Sequence, residues 1–216
     1  TQGRLILMTL HGYFRSSAAW RVRIALGLKG LKADAVSVHL RKGEQRSPAY
    51  LALNPQGLLP ALETDDGVVL TQSLAIIEYL DEVHPAPSLL SGDALRRAEI
   101  RAAALLVAAD IHPIQNLRIL SRIKALGHDE AAASEWARQT IDEGLEALNV
   151  LLEGQDGPFA FGSALTLADI CLIPQLGNAR RFGVDVRWPR LLEIEAACDA
   201  LPAFVAARPE NQPDAE

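Results

Sequence analysis

The chain has 216 residues, 49% of them hydrophobic, and a net charge of -6 from 21 basic and 27 acidic side chains. That is enough for one large domain or two small ones around a packed core, and it excludes a disordered chain. The acidic balance argues against nonspecific nucleic-acid binding, and no apolar run is long enough to span a bilayer, so neither nucleic acid nor a membrane is expected as a partner.

The opening "TQGRLIL" is too short for a signal peptide, and Met8 is the sole methionine, which leaves residues 1–7 as either a natural extension or an addition. Leu5 to Leu10 is a short apolar run and reads as a buried strand. Trp20, Ile24 and Leu28 recur at i, i+4 and i+8, which predicts a helix over residues 20–28. Val36, Val38 and Leu40 alternate with Ser37 and His39, the pattern of a half-buried strand. Asp65-Asp66-Gly67 separates two apolar runs, 60–64 and 68–70, and predicts a hairpin. Leu74, Ile77 and Leu80 then return to helical period over residues 73–83. Strand, helix, strand, hairpin, helix implies a mixed sheet covered by helices.

"HPAPSLLSGD" (84–93) breaks this pattern and reads as a linker. Beyond it the chain looks helical throughout. Asp93 can cap an alanine-rich helix, and Pro113 falls inside it, where a missing N–H and a steric clash predict a kink. A second helix is expected over 129–153, with Gly154 as its stop. In "LTLADI", Thr166 and Asp169 resemble a capping box and Leu165 and Ile170 a hydrophobic staple. A last helix is expected between Pro189 and Pro202, followed by a polar tail, "RPENQPDAE", that should fray. Cys171 and Cys198 form neither a metal-like cluster nor a disulfide framework, which fits a reducing, cytoplasmic compartment. The five histidines lack zinc-ligand spacing, so no metal is expected. Trp136 and Trp188 read as packing residues, and the two cysteines as core thiols.

The stretch "FRSSAAWRVRIAL" places Ser16 and Ser17 at the start of a helix directly after Arg15. A helix N-terminus offers free N–H groups and the positive end of the macrodipole, so a hydroxyl there can help hold an anion such as a thiolate. Taken alone, the fragment reads more readily as an ordinary serine N-cap. "NPQGLLPAL" (54–62) adds a turn directly before a strand, and "TQSLAII" (71–77) puts Gln72 and Ser73 at a second helix start. Two helix N-termini and a proline-bearing loop on one small sheet could grip an extended anionic peptide.

"SSAAWRVRIAL", "NPxxxxPAL", "QSLAIIEYL", "DIHPIQNLRIL" and "NARRFGVD" occur in that order. Together they resemble the zeta class of glutathione transferases, which includes maleylacetoacetate and maleylpyruvate isomerases. The resemblance covers nearly the whole chain from Met8. It implies an α+β thioredoxin-like glutathione-binding domain (8–85) followed by an all-α substrate-binding domain (93–208), in a homodimer. It implies that Ser16 activates the glutathione thiol, with Ser17 beside it. The Leu59 backbone, before a Pro60 expected to be cis, would pair with the cysteinyl part of glutathione, and Gln72 and Ser73 with its γ-glutamyl end. Gln45, His112 and Asn116 are further glutathione-binding candidates. The class signature carries a cysteine where this chain has Ala18, so activation must rest on the serine, the helix end and nearby cations.

The reaction implied is glutathione-dependent cis–trans isomerisation of maleylacetoacetate to fumarylacetoacetate in tyrosine and phenylalanine breakdown. A thiolate adds to an activated double bond, the adduct rotates, and elimination restores the bond as trans. Charge develops on the conjugated carbonyl oxygen, so cations aimed there assist. The substrates are small dicarboxylates, which arginine binds well. Arg15, His112, Arg118 and Arg181 are the substrate-binding candidates, and Arg15 and Arg181 also carry catalytic roles. Arg118 and Arg180 read equally as solvated surface charge. Two alternatives stand beside this one: a maleylpyruvate isomerase or general conjugating transferase, and a noncatalytic transferase-like interaction module. Loss of the serine or of the Gln-Ser pair would favour the module, and both are present.

Overall fold

The computed structural model describes residues 8–216. They divide into two compact units: residues up to Ser88 together with Ala200–Glu216, and Leu89–Asp199.

The first unit holds β1 (Met8–Gly12), α1 (Ser17–Leu28), β2 (Ala33–Ser37), α2 (Pro48–Leu53), β3 (Ala61–Glu63), β4 (Val69–Thr71) and α3 (Ser73–Val83). The sheet order is β2-β1-β3-β4. β1 pairs parallel with β2, Leu10 opposite Ala35, and antiparallel with β3, Leu10 opposite Leu62. β3 and β4 form the hairpin expected at Asp65-Asp66-Gly67. This βαβ–ββα order is the thioredoxin-like arrangement. Helices α1 and α3 pack together, and Val22, Ile24, Ala25, Leu62, Ile76 and Leu80 form a core with no measurable exposure.

Three details differ from the pattern read in the sequence. The expected strand over Leu5–Leu10 begins in residues 1–7, outside the described residues; the described strand runs on to Gly12. The strand expected through Leu40 stops at Ser37. The chain turns there because His39 caps a short 3-10 turn, Leu40–Lys42, by accepting the Lys42 N–H, while Glu44 accepts the His39 N–H. Val36 lies on an edge strand and is 42% exposed, and of the three alternating apolar residues only Val38 is buried. The polar tail does not fray. α9 (Pro202–Ala207) packs on α1, with Ala203 against Gly27. Asn211 and Gln212 then donate side-chain bonds to the carbonyls of Val205, Ala206 and Arg208. These contacts draw residues 200–216 into the first unit.

The second unit contains α4 (Ala94–Leu105), α5 (Leu117–Ala125), α6 (Glu130–Leu151), α7 (Leu167–Arg181) and α8 (Pro189–Asp199). Asp93 caps α4 as expected, and Asp129, at the start of the expected second helix, caps α6. At α7 the capping box is complete: Asp169 accepts the Thr166 N–H and hydroxyl, and its other oxygen accepts the Ala160 N–H. Burial pushes the Asp169 carboxyl up from its ordinary range, while those three bonds oppose the shift. Helix α4 does not run through Pro113 with a kink. It widens into a π-helical segment, Leu106–Ile111, which breaks into a turn before α5 begins. The widening has room because α6 carries Gly144 opposite it: a Cβ there would lie 2.3 Å from Cγ1 of Ile111.

Candidate active site

Ser16 sits at the N-cap of α1 in extended conformation, and its Oγ accepts the Ala19 N–H at 3.2 Å. That bond uses the oxygen as an acceptor and leaves the hydroxyl proton to donate elsewhere. The first turn of α1 carries no acidic residue, so the positive end of its dipole is not neutralised locally. Ser16 and Ser17 are both buried, at 9% and 5% exposure, while Arg15 is exposed with its guanidinium 5.0 Å from the Phe14 ring centroid.

Ser73 opens α3 and repeats the Ser16 pattern. Its Oγ accepts from Arg21 Nη1 at 3.3 Å, again leaving a proton free to donate. Arg21 is 2% exposed and links α1 to the α3 start. The sequence reading missed it. Its signal was position: Ser17, Arg21 and Ile24 at i, i+4 and i+7 place a cation on the buried stripe of α1.

Gln72, just before α3, has φ 69° and ψ 115°, the one positive-φ non-glycine among the described residues. Such a conformation costs about 1–3 kcal/mol and persists only where its surroundings impose it. It points an exposed Gln72 amide toward Gln56, which accepts a hydrogen bond from it at 2.9 Å.

The Leu59–Pro60 peptide is cis. The loop before it is pinned at Leu58, whose carbonyl accepts from both Tyr50 Oη and Asn54 Nδ2 at 2.7 Å. Burial pushes the Tyr50 phenol up to about 12, so it remains a donor. Leu59 packs on the cluster of Val38, Tyr50 and Ala61. Gln45 lies against this loop: a Cβ on Gly57 would meet the Gln45 carbonyl at 2.9 Å, so the approach requires glycine, which also supplies the positive φ found there. Gln45 Oε1 is buried with no hydrogen-bond partner among the described residues. A buried acceptor without a partner is costly, and a ligand donor would satisfy it.

These features fit glutathione. Two helix starts present hydroxyl donors to anionic groups, and a pinned loop precedes the cis proline. The unsatisfied acceptor at Gln45 is suited to an amide or ammonium of an extended peptide.

The remaining candidates belong to the second unit. The His112 N–H donates to the Val107 carbonyl across the wide π turn. Asn116 caps α5, its Oδ1 accepting the Arg118 N–H at 3.1 Å, and its Nδ2 lies 3.5 Å from His112 Nε2. His112 and Asn116 are therefore neighbours, and Arg118 is exposed at the α5 start. Arg180 is occupied by a bidentate pair with Glu195. Arg181 ends α7, with its guanidinium 5.2 Å from the Phe182 ring centroid. Phe182 in turn packs on Leu120, Ala133 and Ala137 of α5 and α6. The two adjacent arginines thus have different settings, one in an ion pair and one stacked on a packed ring.

Among the described residues, no group of three or more His, Cys, Asp or Glu side chains could hold a metal ion, and no helix is long and apolar enough to cross a membrane.

Family models for the glutathione S-transferase N-terminal domain and C-terminal domain match residues 15–83 and 98–206. The chain is 49% identical to a maleylacetoacetate isomerase of Pseudomonas aeruginosa over 96% of its own length and 98% of the relative's. It is 45% identical to a bacterial zeta-class maleylpyruvate isomerase of known holo structure, with TM-score 0.93, covering 96% of this chain and all of that one. A crystal structure of maleylacetoacetate isomerase from Anaeromyxobacter dehalogenans with glutathione bound in its active site is 44% identical, with TM-score 0.89, and the match covers 98% of this chain and 99% of that one. The same protein has also been crystallised with dicarboxyethyl glutathione and citrate in the active site. Near-complete coverage in both directions, at these identities, means that the chain belongs to the zeta-class glutathione transferase family.

Proposed function

We propose that this protein is a glutathione-dependent maleylacetoacetate isomerase. The observation that carries the reading is Ser16: a buried hydroxyl at the un-neutralised N-terminus of α1, with its acceptor side engaged and its proton left to donate. Bound glutathione supplies the nucleophilic thiolate that opens the cis double bond. Ser16 and the α1 N-terminus stabilise that anion, as they would a cysteine thiolate at a helix start. Ser17 supports the same turn. The Leu59 main chain, Gln45, Gln72 and Ser73 hold the peptide without touching the reacting bond.

His112 and Asn116 are the second unit's candidates for glutathione binding, and His112 also for the substrate. Arg15, Arg118 and Arg181 bind the substrate carboxylates and the developing oxyanion. The likeness to the maleylpyruvate isomerase structure supports a second substrate, maleylpyruvate, at the same site. The homodimer rests on the resemblance to the zeta class. Two free, buried cysteines support a cytoplasmic location.

The test is turnover of each cis substrate with and without glutathione, followed by ultraviolet absorbance. Isomerisation that requires glutathione and leaves it unconsumed is expected. Absence of glutathione-dependent turnover on both substrates would overturn the reading in favour of an interaction module. Sedimentation at micromolar concentration tests the dimer, and a monomeric mass counts against it.

A further inference from the structure

The turn that presents Ser16 is clamped by the far end of the chain. Ser16 N–H donates to the Tyr13 carbonyl at 2.9 Å and closes the turn. Phe14 lies inside it, and both of its main-chain polar groups are held from outside. Its N–H donates to Asp214 Oδ2 at 3.1 Å, and its carbonyl accepts from Arg23 Nη2 at 3.0 Å. Each clamp is anchored in turn. The same Asp214 oxygen accepts from the Ser37 hydroxyl at 2.8 Å, at the end of β2. Arg23 Nε donates to the Ala207 carbonyl at 3.1 Å, at the end of α9. Past Asp214, Glu216 reaches His39 Nε2 at 2.7 Å, and the His39 ring lies 4.9 Å from that of Tyr13.

Apolar packing alone does not hold this turn. A cavity of about 150 Å³ lies beside it, lined by Leu10, Gly12, Tyr13, Val36 and Pro213 among others. Tyr13 and Phe14 are buried, but the pocket beside them is half-open, so the turn depends on its polar bonds as well as on packing. Arg23 is mostly buried, which pulls its pKa down to about 10 while Asp214 opposes the shift. The carboxylate therefore both accepts the Phe14 N–H and favours the charged form of the second clamp.

We propose that Asp214, acting with Arg23, is a positioning residue that fixes the Tyr13–Ser16 turn and so aims the Ser16 hydroxyl. The proposal rests on the reading of Ser16 as the thiol-activating group. On this proposal Asp214 acts through the Phe14 peptide and not on glutathione or substrate. Gln72 and Ser73 hang on α3 and Arg21, outside this chain of bonds. Loosening the clamp should therefore disturb thiol activation and spare the peptide grip.

The experiment uses the full chain as Asp214→Ala, Asp214→Asn and Ser16→Ala. Four quantities are read: amide hydrogen exchange at Phe14 and Ser16, the ultraviolet titration of the bound glutathione thiol, kcat, and the KM for glutathione. Asp214→Ala should speed exchange at the two turn amides and raise the thiol pKa. It should lower kcat by roughly 10- to 100-fold, the scale of a misplacement near one ångström, with the KM for glutathione unchanged. Asp214→Asn keeps an acceptor in place and should recover most of both losses, which a general loss of fold would not allow. Should Asp214→Ala fail to fold, Asp214→Asn alone decides: slightly faster exchange at Phe14 together with a partial rise in the thiol pKa supports the clamp, and native values throughout overturn it. Unchanged turn exchange in Asp214→Ala overturns the clamp. Faster exchange with native kcat and native titration, while Ser16→Ala shifts both, overturns its catalytic role. If Ser16→Ala leaves the titration unchanged, the Ser16 reading itself has failed, and the exchange data still decide whether Asp214 holds the turn.

Discussion

The candidate residues of the first unit are placed by the main chain, and those of the second by side chains at helix ends. Ser16 and Ser73 begin helices, Leu59 precedes a cis peptide, and Gln72 has a positive φ. In each case a backbone conformation fixes where the polar group goes. His112, Asn116 and Arg181 instead follow a π segment, cap a short helix and end a long one. A backbone-made grip suits a ligand whose shape never changes, such as a peptide cofactor. Side chains at helix ends can be exchanged or reaimed with little cost to the fold, which suits the part of a site that distinguishes one small carboxylate from another.

The largest effect should come from the first unit. On the proposed reading Ser16→Ala removes a donor aimed at the thiolate, which should cost ~10- to 1000-fold in rate. The thiol pKa of bound glutathione should rise, because the thiolate loses the bond that favoured it. Ser17→Ala should cost less, since Ser17 lies inside the first turn of α1 and not at its cap. Equal thiolate absorbance in the native protein and Ser16→Ala at neutral pH would remove the assignment.

Next in size is Arg181→Ala. On the proposed reading Arg181, exposed in the free protein, pairs with a substrate carboxylate, and its loss should lower kcat/KM for a cis dicarboxylate by ~100-fold. Turnover of an uncharged conjugation substrate should change little, and so should glutathione affinity. Arg180→Ala serves as the contrast: its loss breaks the exposed ion pair with Glu195, worth about 0–1 kcal/mol, and should leave specificity intact. An equal loss on charged and neutral substrates for Arg181→Ala would make its role structural and dissolve the contrast between the units.

Gln72 separates backbone from side chain within one residue. Gln72→Ala removes the amide and keeps the strained φ, so glutathione should bind more weakly by roughly 1–3 kcal/mol, while the rate at saturating glutathione falls much less. Gln72→Gly also removes the amide but accepts the positive φ without strain. Glycine should therefore unfold at a higher temperature than alanine at this position, with the same loss of affinity. Identical stability of the two variants would show that the conformation carries no strain.

Much of this was legible in the sequence where a signal is local. The hairpin turn at Gly67, the caps Asp93 and Asp129, and the Thr166–Asp169 box each announce themselves within four residues. Ser16 and the Gln72-Ser73 pair were legible for the same reason. What escaped depends on partners far along the chain. The polar tail reads as frayed because nothing near Asp214 shows that its hydrogen-bond donors lie at Phe14 and Ser37. Buried Arg21 was hidden because its partner Ser73 is 52 residues away. Pro113 was read as a kink, but the helix had already widened and ended, a change made possible by Gly144 on another helix.

The smallest effect on turnover, and the finest probe of the second unit, is Gly144→Ala. Alanine is favoured over glycine in a helix interior by about 1 kcal/mol, so propensity alone predicts a gain. Packing predicts the reverse. The new Cβ would lie 2.3 Å from Cγ1 and 2.5 Å from Cδ1 of Ile111. Ile111 is 1% exposed and β-branched, so it has little freedom to turn aside. Overpacking of this kind costs typically 1–3 kcal/mol. The net should be a loss of about 1 kcal/mol, read as a lower thermal midpoint, with turnover nearly native because His112 keeps its place at the end of the π segment. Ile111→Val removes the Cδ1 and by itself costs about 0.5–1.5 kcal/mol. Combined with Gly144→Ala it should be less destabilising than the two losses added, because the missing atom is one of those the alanine would strike. Strict additivity would mean that the two helices do not meet at this point, and the widened turn before His112 would need another explanation.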